Sequence, residues 1–286
     1  MSELIHPAAK IGAVHLITAD LERQVVFYQS TLGLKILQQN DQTASLGASV
    51  ADQPLIVLAE VPSARRARRA TGLYHLAIRL PSRLELARTL AHLADTDAAF
   101  EGMANHGVSE SLYLHDPDNN GIEIYCDRPM DDWLHGAQGQ LKMDTLPLDL
   151  DNLMEELAVD DHLWDGLHPQ TDIGHVHLRV GQLNEAQQFY QQILGLTLTQ
   201  HMASGAAFLA AGNYHHHVGI NTWLGAGTPP PPPDSIGLRW FELCLPDQAE
   251  CDKVADRVRI AGLALEEAVG GLLVRDPSRN GMLLTC

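Results

Sequence analysis

Residues 106–123, HGVSESLYLHDPDNNGIE, hold a dense set of side chains that could do chemistry: His106, then Leu112-Tyr113, Asp116-Pro117 and Glu123. Imidazoles, phenols and carboxylates carry protons, and imidazoles and carboxylates also bind first-row metals. Other histidines stand on short apolar runs: His15 in AVHLI, His75 in LYHLAI, and His175 and His177 in HVHLR. His215, His216 and His217 stand together before VGIN. A lone histidine on an apolar strand is ordinarily a packed or surface residue, so His15 alone carries no argument. His75 and Glu123 are different because they fall at fixed places in a longer pattern.

The elements that would position these residues are repeated. Residues 11–36 (IGAVHLITADLERQVVFYQSTLGLKI) and 173–198 (IGHVHLRVGQLNEAQQFYQQILGLTL) align without a gap. Each has a His on an apolar run, a Phe-Tyr pair 12 residues later, and then Leu-Gly-Leu. Within each half a second unit recurs: GLYHLAIRL (72–80) resembles GLRWFELCL (237–245), and each is followed by an Asp-Pro turn, DPDNNGIEIYC or DPSRNGMLLTC. The opening runs alternate as half-buried strands do. LERQVVFYQSTLG has helical spacing and stops at a glycine. Short β-rich runs such as PLIVLAEV (54–61) and HVGINTW (217–223) follow. Each module therefore reads strand, helix, then strands, an α+β pattern. Modules at about 11–62 and 70–129 make a first pair within 1–129, and those at about 171–226 and 236–286 make a second pair within 171–286. An acidic linker, 130–170, contains helix-like LDNLMEEL and is assigned no chemistry.

The formal charge of -17 repels nucleic acid and anionic membranes, which argues against either as a partner. The run RRARR at 65–69 is read as a solvated loop, and Pro229–Pro233 as a stiff spacer. No stretch reaches the roughly 18 apolar residues of a membrane span, and the first ten residues lack the pattern of a secretory leader. Cys126, Cys244, Cys251 and Cys286 form no CxxC pair. A cytoplasmic protein with free thiols is expected.

The repeated unit resembles the βαβββ module of the vicinal oxygen chelate superfamily, which also includes glyoxalases and bleomycin-resistance proteins. Residues 106–123 resemble the signature of its type I extradiol ring-cleaving dioxygenases, of the catechol 2,3-dioxygenase kind. Ala104 and Asn119 depart from the preferred residues of that signature. The resemblance implies four βαβββ modules forming two cupped half-barrels around a metal. It also implies Fe(II), with Mn(II) as the alternative, acting on a small aromatic diol with O2. By the same resemblance Glu123 is the carboxylate ligand and His75 a histidine ligand. Tyr113 would hydrogen-bond the substrate, and His106 would stand at the pocket wall near the ring. A face of two histidines and one carboxylate leaves open positions for diol and O2.

The third ligand depends on module pairing. It is His15 if modules 1 and 2 pair, and His177 if modules 2 and 3 pair. The family also needs an acid–base histidine on the last strand of the module that gives the first ligand. Module 3 carries the histidine triplet there, whereas module 1 has only LIVLAE at 55–60. The metal is therefore expected between modules 2 and 3, on His177, His75 and Glu123, with His175 supporting His177. Module 4 has Trp240 and Leu283 where module 2 has His75 and Glu123, and neither can coordinate. Of the triplet, His217 is favoured as the base, with His216 as the alternative. A homodimer is the default expectation for paired modules. A glyoxalase-like lyase or isomerase, or a binding protein without catalysis, are the competing readings. The first would take up no O2, and the second would hold no stoichiometric metal.

Overall fold

In the computed structural model, which describes residues 3–50, 53–136, 140–158 and 163–286, one unit of strand, helix and three strands recurs four times. The first comprises β1 (Lys10–Thr18), α1 (Leu21–Ser30), β2 (Lys35–Gln39), β3 (Thr43–Gly47) and β4 (Ile56–Glu60). The second comprises β5 (Gly72–Leu80), α2 (Arg83–Asp95), β6 (Phe100–Asn105), β7 (Ser109–His115) and β8 (Gly121–Asp127). Between the halves lie the short β9 (Leu146–Pro147) and α3 (Leu150–Met154); linker residues 137–139 and 159–162 fall outside the described set. The third unit runs β10 (Asp172–Arg179), α4 (Leu183–Gln188), β11 (Thr197–Met202), β12 (Ala206–Ala210) and β13 (Val218–Asn221). The fourth runs β14 (Gly237–Cys244), α5 (Gln248–Ile260), β15 (Glu266–Ala268), β16 (Gly271–Arg275) and β17 (Gly281–Thr285). The helices start where a short polar side chain takes an orphan N–H: Asp20 caps α1, Ser82 caps α2 and Asp247 caps α5. In the third unit Gln182 makes no such cap, and the end of α4 widens into a π-helix over Phe189–Ile193.

The sheets do not follow chain order. One has eight strands, β15-β16-β17-β14-β1-β4-β3-β2, and joins units 4 and 1. The other has nine, β11-β12-β13-β10-β5-β8-β7-β6-β9, and joins units 3 and 2. The antiparallel seams β1–β14 and β5–β10 make these joins, so each sheet needs strands from both halves of the chain. Strand alternation then divides the faces of the second sheet. Leu76, Ile78, Ile122, Ile124, Val176 and Leu178 enter the main apolar core. His75, Glu123, His175 and His177 point the other way, into a cavity.

The Asp-Pro turns prove to be structural joints. Asp116 Oδ1 accepts the backbone N–H groups of Asp118 and Asn120, and its Oδ2 accepts Asn120 Nδ2 and the Tyr28 hydroxyl. Asp276 repeats the arrangement with Ser278, Asn280 and Tyr190. The tyrosine of each Phe-Tyr pair thus ties the helix of one module to the turn of the next. Asn119 takes φ 64°, a left-handed conformation that asparagine tolerates, which accounts for its presence in place of a more usual turn residue.

Two expectations are corrected. Cys251 and Cys286 form a disulfide, because α5 sets Cys251 beside the end of the chain with the Cα atoms 6.3 Å apart; only Cys126 and Cys244 are free. The run at 65–69 is not wholly solvated: Arg66 is half-buried and its Nη1 donates to Asp118 O (2.8 Å) and Asn120 Oδ1 (3.1 Å), bracing the turn before β8. Among the described residues no helix is long and apolar enough to cross a membrane.

Candidate metal centre

Register builds the site. Ala77 of β5 lies opposite His175 of the antiparallel β10 on one side and Glu123 of the parallel β8 on the other. Adjacent strands are about 4.8 Å apart, and a methyl group between them leaves room for the two longer side chains to converge over it. His75 stands two residues along β5 on the same face. Its Nε2 is 3.1 Å from Glu123 Oε2, and His175 Nε2 is 3.2 Å from the same oxygen. One ligand atom from each of His75, Glu123 and His175 lies within 4.8 Å of the other two. His177 belongs to the next row, opposite His75, and so one step further from the carboxylate. The group that forms therefore contains His175, expected only to support the ligand, where the sequence analysis favoured His177. His177 lines the same cavity, and Gly219 makes this fit possible, since a Cβ there would come within 3.0 Å of the imidazole.

His15 is removed from this site altogether. It lies in the other sheet, opposite Trp240, and its Nε2 meets Glu242 Oε1 at 2.9 Å. The Ala13 N–H donates to the other oxygen of Glu242. Glu242 there occupies the place of Ala77, so a buttressed carboxylate fills the second cup in place of a ligand set.

The electrostatics suit a cation. Burial alone would push the Glu123 carboxyl up, but the pull of His175 and then His75 outweighs it and holds the group well below the usual carboxylate range. Burial pushes His175 down to about 4, and burial with the neighbouring imidazoles pushes His177 well below its ordinary value, so both rings are neutral at pH 7. Ser111 Oγ donates to Glu123 Oε1 at 2.7 Å and fixes that oxygen, leaving Oε2 turned toward the imidazoles. His75 Nε2 is buried and, despite its proximity to Oε2, is not aligned for a hydrogen bond. Two imidazole nitrogens and one carboxylate oxygen converging in a buried place are the donor set of a divalent metal.

A cavity of about 480 Å³ opens over these residues. Tyr74, Phe208 and Trp223 supply aromatic walls; Tyr74 packs edge-on to Trp223, with ring centroids 5.1 Å apart. Tyr113 and His106 enter from β7 and the β6–β7 turn. His106 Nε2 is 2.7 Å from the Tyr113 hydroxyl, and its Nδ1 is 2.6 Å from the backbone carbonyl of Asp144. A carbonyl only accepts, so His106 carries its proton on Nδ1 and Nε2 accepts from Tyr113. Burial, reinforced by Glu123, raises the Tyr113 hydroxyl well above its ordinary value and keeps it protonated.

The histidine triplet is not a strand. β13 begins at Val218, so alternation does not sort the triplet. His216 lines the cavity, its ring centroid 4.0 Å from that of His175. His217 is turned aside: its Nδ1 accepts the Ala211 N–H at 3.1 Å, and its ring packs on Tyr214. Of the two candidates for the acid–base group, His216 lines the cavity and the favoured His217 does not.

Several cavity residues escaped sequence reasoning. Met143, Asp144 and Thr145 come from the linker, where nothing in an acidic, irregular segment marks them. Ser111 was legible, since alternation along β7 puts it on the face of Tyr113. His175 was legible too: HLAIR from His75 and HVHLR from His175 share an initial histidine and a final arginine, a stronger match than one centred on His177.

Comparison with known proteins places this geometry in context. Residues 10–124 and 172–280 match the Glyoxalase/Bleomycin resistance protein/Dioxygenase superfamily. The chain is 42% identical over 276 residues to a catechol-2,3-dioxygenase from Bacillus subtilis (strain 168), covering 96% of this chain and 95% of that protein. Among solved structures, a Bacillus subtilis protein described provisionally as a dioxygenase superposes with a TM-score of 0.66 at 12% identity, over 99% of this chain and 86% of that one. Glyoxalase I from Zea mays superposes with a TM-score of 0.59 at 15% identity, over 97% and 92%. The two structural likenesses speak for the fold alone.

Proposed function

Because the chain belongs to the Glyoxalase/Bleomycin resistance protein/Dioxygenase superfamily, we propose that it is an extradiol ring-cleaving dioxygenase acting on a catechol-type diol with O2. The observation that carries this reading is the convergence of His75, Glu123 and His175 beneath a cavity that also holds Tyr113 and His106. These three residues would hold one Fe(II), with Mn(II) as the alternative for the same donor set. When bound, the metal supplies adjacent positions for diol and O2 and a route for electrons between them. The relative's printed activity, at 42% identity over nearly the whole chain, supports the same assignment.

The chain's own side chains do the rest. Tyr74, Phe208 and Trp223 sandwich an aromatic ring and exclude water. Tyr113, whose proton is given to His106, presents its oxygen as an acceptor for a substrate hydroxyl. His216 takes a proton from the diol and returns it later; burial holds its imidazole well below the ordinary histidine value, so it enters the reaction neutral. A cytoplasmic setting belongs to the same proposal, and the Cys251–Cys286 bridge lies outside the cavity lining.

The test is O2 uptake with catechol and substituted catechols after anaerobic loading with ferrous iron, alongside elemental analysis of the purified protein. Stoichiometric iron or manganese, diol-dependent O2 consumption and a yellow ring-opened product are expected. Metal-dependent turnover of a thiol adduct without O2 consumption would favour a glyoxalase reaction and overturn the assignment.

A further inference from the structure

Behind His216 lies a chain of polar contacts that the reaction outlined above does not use. Asp127, at the end of β8, places Oδ1 2.9 Å from His215 Nε2. His215 Nδ1 is in turn 2.7 Å from His216 Nδ1. His215 is buried, packed among Tyr125, Trp133 and Tyr214, so its contact with His216 is shielded from water, while Asp127 is partly exposed. Asp127 is also pinned: Arg79 Nη1 donates to Oδ2 at 3.3 Å, and the Tyr214 hydroxyl lies 3.1 Å from both oxygens. Arg79 is itself fixed by a two-pronged pairing with Asp172.

We infer that Asp127 and His215 are positioning residues that fix the tautomer of His216, so that its Nδ1 carries the proton and its Nε2 is left as the acceptor facing the cavity. The logic is one of donors and acceptors. Asp127 is ionised and accepts only, so His215 carries a proton on Nε2. In a neutral ring His215 Nδ1 then accepts, and His216 Nδ1 must donate. With Nδ1 engaged, Nε2 is the nitrogen of His216 left to serve the diol. Burial works to raise the Asp127 carboxyl, but its hydrogen bonds from His215 and Tyr214 and the charge of Arg79 outweigh it and keep the group ionised. The inference rests on the reading of His216 as the acid–base residue, and its chief test does not.

Asp127→Asn inverts the chain. Arg79 can only donate, so the carboxamide oxygen turns to it and the NH2 faces His215. His215 must then accept on Nε2 and donate from Nδ1, His216 accepts on Nδ1, and its own proton moves to Nε2. The experiment is long-range 1H–15N correlation NMR at pH 7.5 on metal-free protein labelled with 15N-histidine, with signals assigned through His215→Phe and His216→Gln. The native protein should show His215 protonated at Nε2 and His216 at Nδ1, and Asp127→Asn should show both reversed. His215→Phe, which removes the acceptor, should leave His216 with a mixture of tautomers. In the iron-loaded enzyme Asp127→Asn should lower kcat about 10²- to 10³-fold with metal content unchanged and KM moved little. A native His216 protonated at Nε2, a doubly protonated His215, or no tautomer change in Asp127→Asn would overturn the inference. If the tautomers behave as stated while no diol supports O2 uptake, the relay stands and the dioxygenase reading fails.

Discussion

At the residue scale, the row His175–Ala77–Glu123 decides which imidazole of β10 meets the carboxylate, and so which would serve the proposed metal. His175→Ala should lower metal retention at least about 10²-fold, whereas His177→Ala should retain stoichiometric metal and alter substrate affinity; elemental analysis after dialysis distinguishes them. In the loaded enzyme His216→Ala should lose about 10²-fold or more in kcat and His217→Ala much less, as steady-state O2 uptake would report. A pH dependence follows from His175. Its folded value of about 4 lies below the 6.5 of an unperturbed imidazole. Above pH 6.5 both folded and unfolded forms are neutral. Below it the unfolded chain takes up a proton that the folded one refuses, so stability falls with pH, by about 3 kcal/mol on reaching pH 4. Asp276, raised to about 6 by burial, works in the opposite sense over part of that range. Urea unfolding of metal-free native protein and of His175→Ala, compared at pH 7.5 and 4.5, isolates the histidine as the difference. Glu123 stood out in the sequence because it closes the long spaced motif 106–123, and His75 because it sits on the repeated opening strand of the same module. The sequence did not separate His175 from His177, because both face one side of β10 and only the register against β5 distinguishes them.

At the scale of the element, the strand–helix–strands unit was legible from period-two alternation, a helical stripe ending at glycine, and the internal repeat. The boundary before β13 was not. Three consecutive histidines ahead of VGIN read as strand by continuity, yet they lie in irregular backbone stabilised by side-chain contacts that no local pattern encodes. The duplicated turns offer a direct measurement. Arg279 takes φ 69° at the position where the first turn has Asn119. A left-handed conformation costs a side-chain-bearing residue about 1 kcal/mol or more, and glycine avoids most of that penalty. Arg279→Gly should therefore raise stability by roughly 0.5–1 kcal/mol in denaturant unfolding, with turnover unaffected.

Across the whole molecule, composition and charge pointed to a non-nucleic-acid, non-membrane protein, and the resemblance supplied the cupped α+β architecture. Which strands share a sheet depends on contacts between residues about a hundred positions apart in one sheet and more than two hundred in the other, and these leave no local trace in the sequence. The consequence is that neither half is complete. Residues 1–129 supply His75 and Glu123, 171–286 supply His175 and His216, and both halves supply strands to both sheets. Made separately, each half should expose the unpaired edges of its seam strands, aggregate, and retain no stoichiometric metal; light scattering and elemental analysis would show this.

The contact between His106 and the carbonyl of Asp144 has a different kind of consequence. A peptide oxygen is common to all twenty amino acids, so exchanging the side chain at 144 leaves that acceptor in place. Adding or dropping one residue in the surrounding stretch would carry the oxygen away from the ring and release Tyr113 from its partner. The connecting segment is thus constrained in how many residues it contains more than in which they are, a form of functional dependence that a scan of point substitutions would pass over.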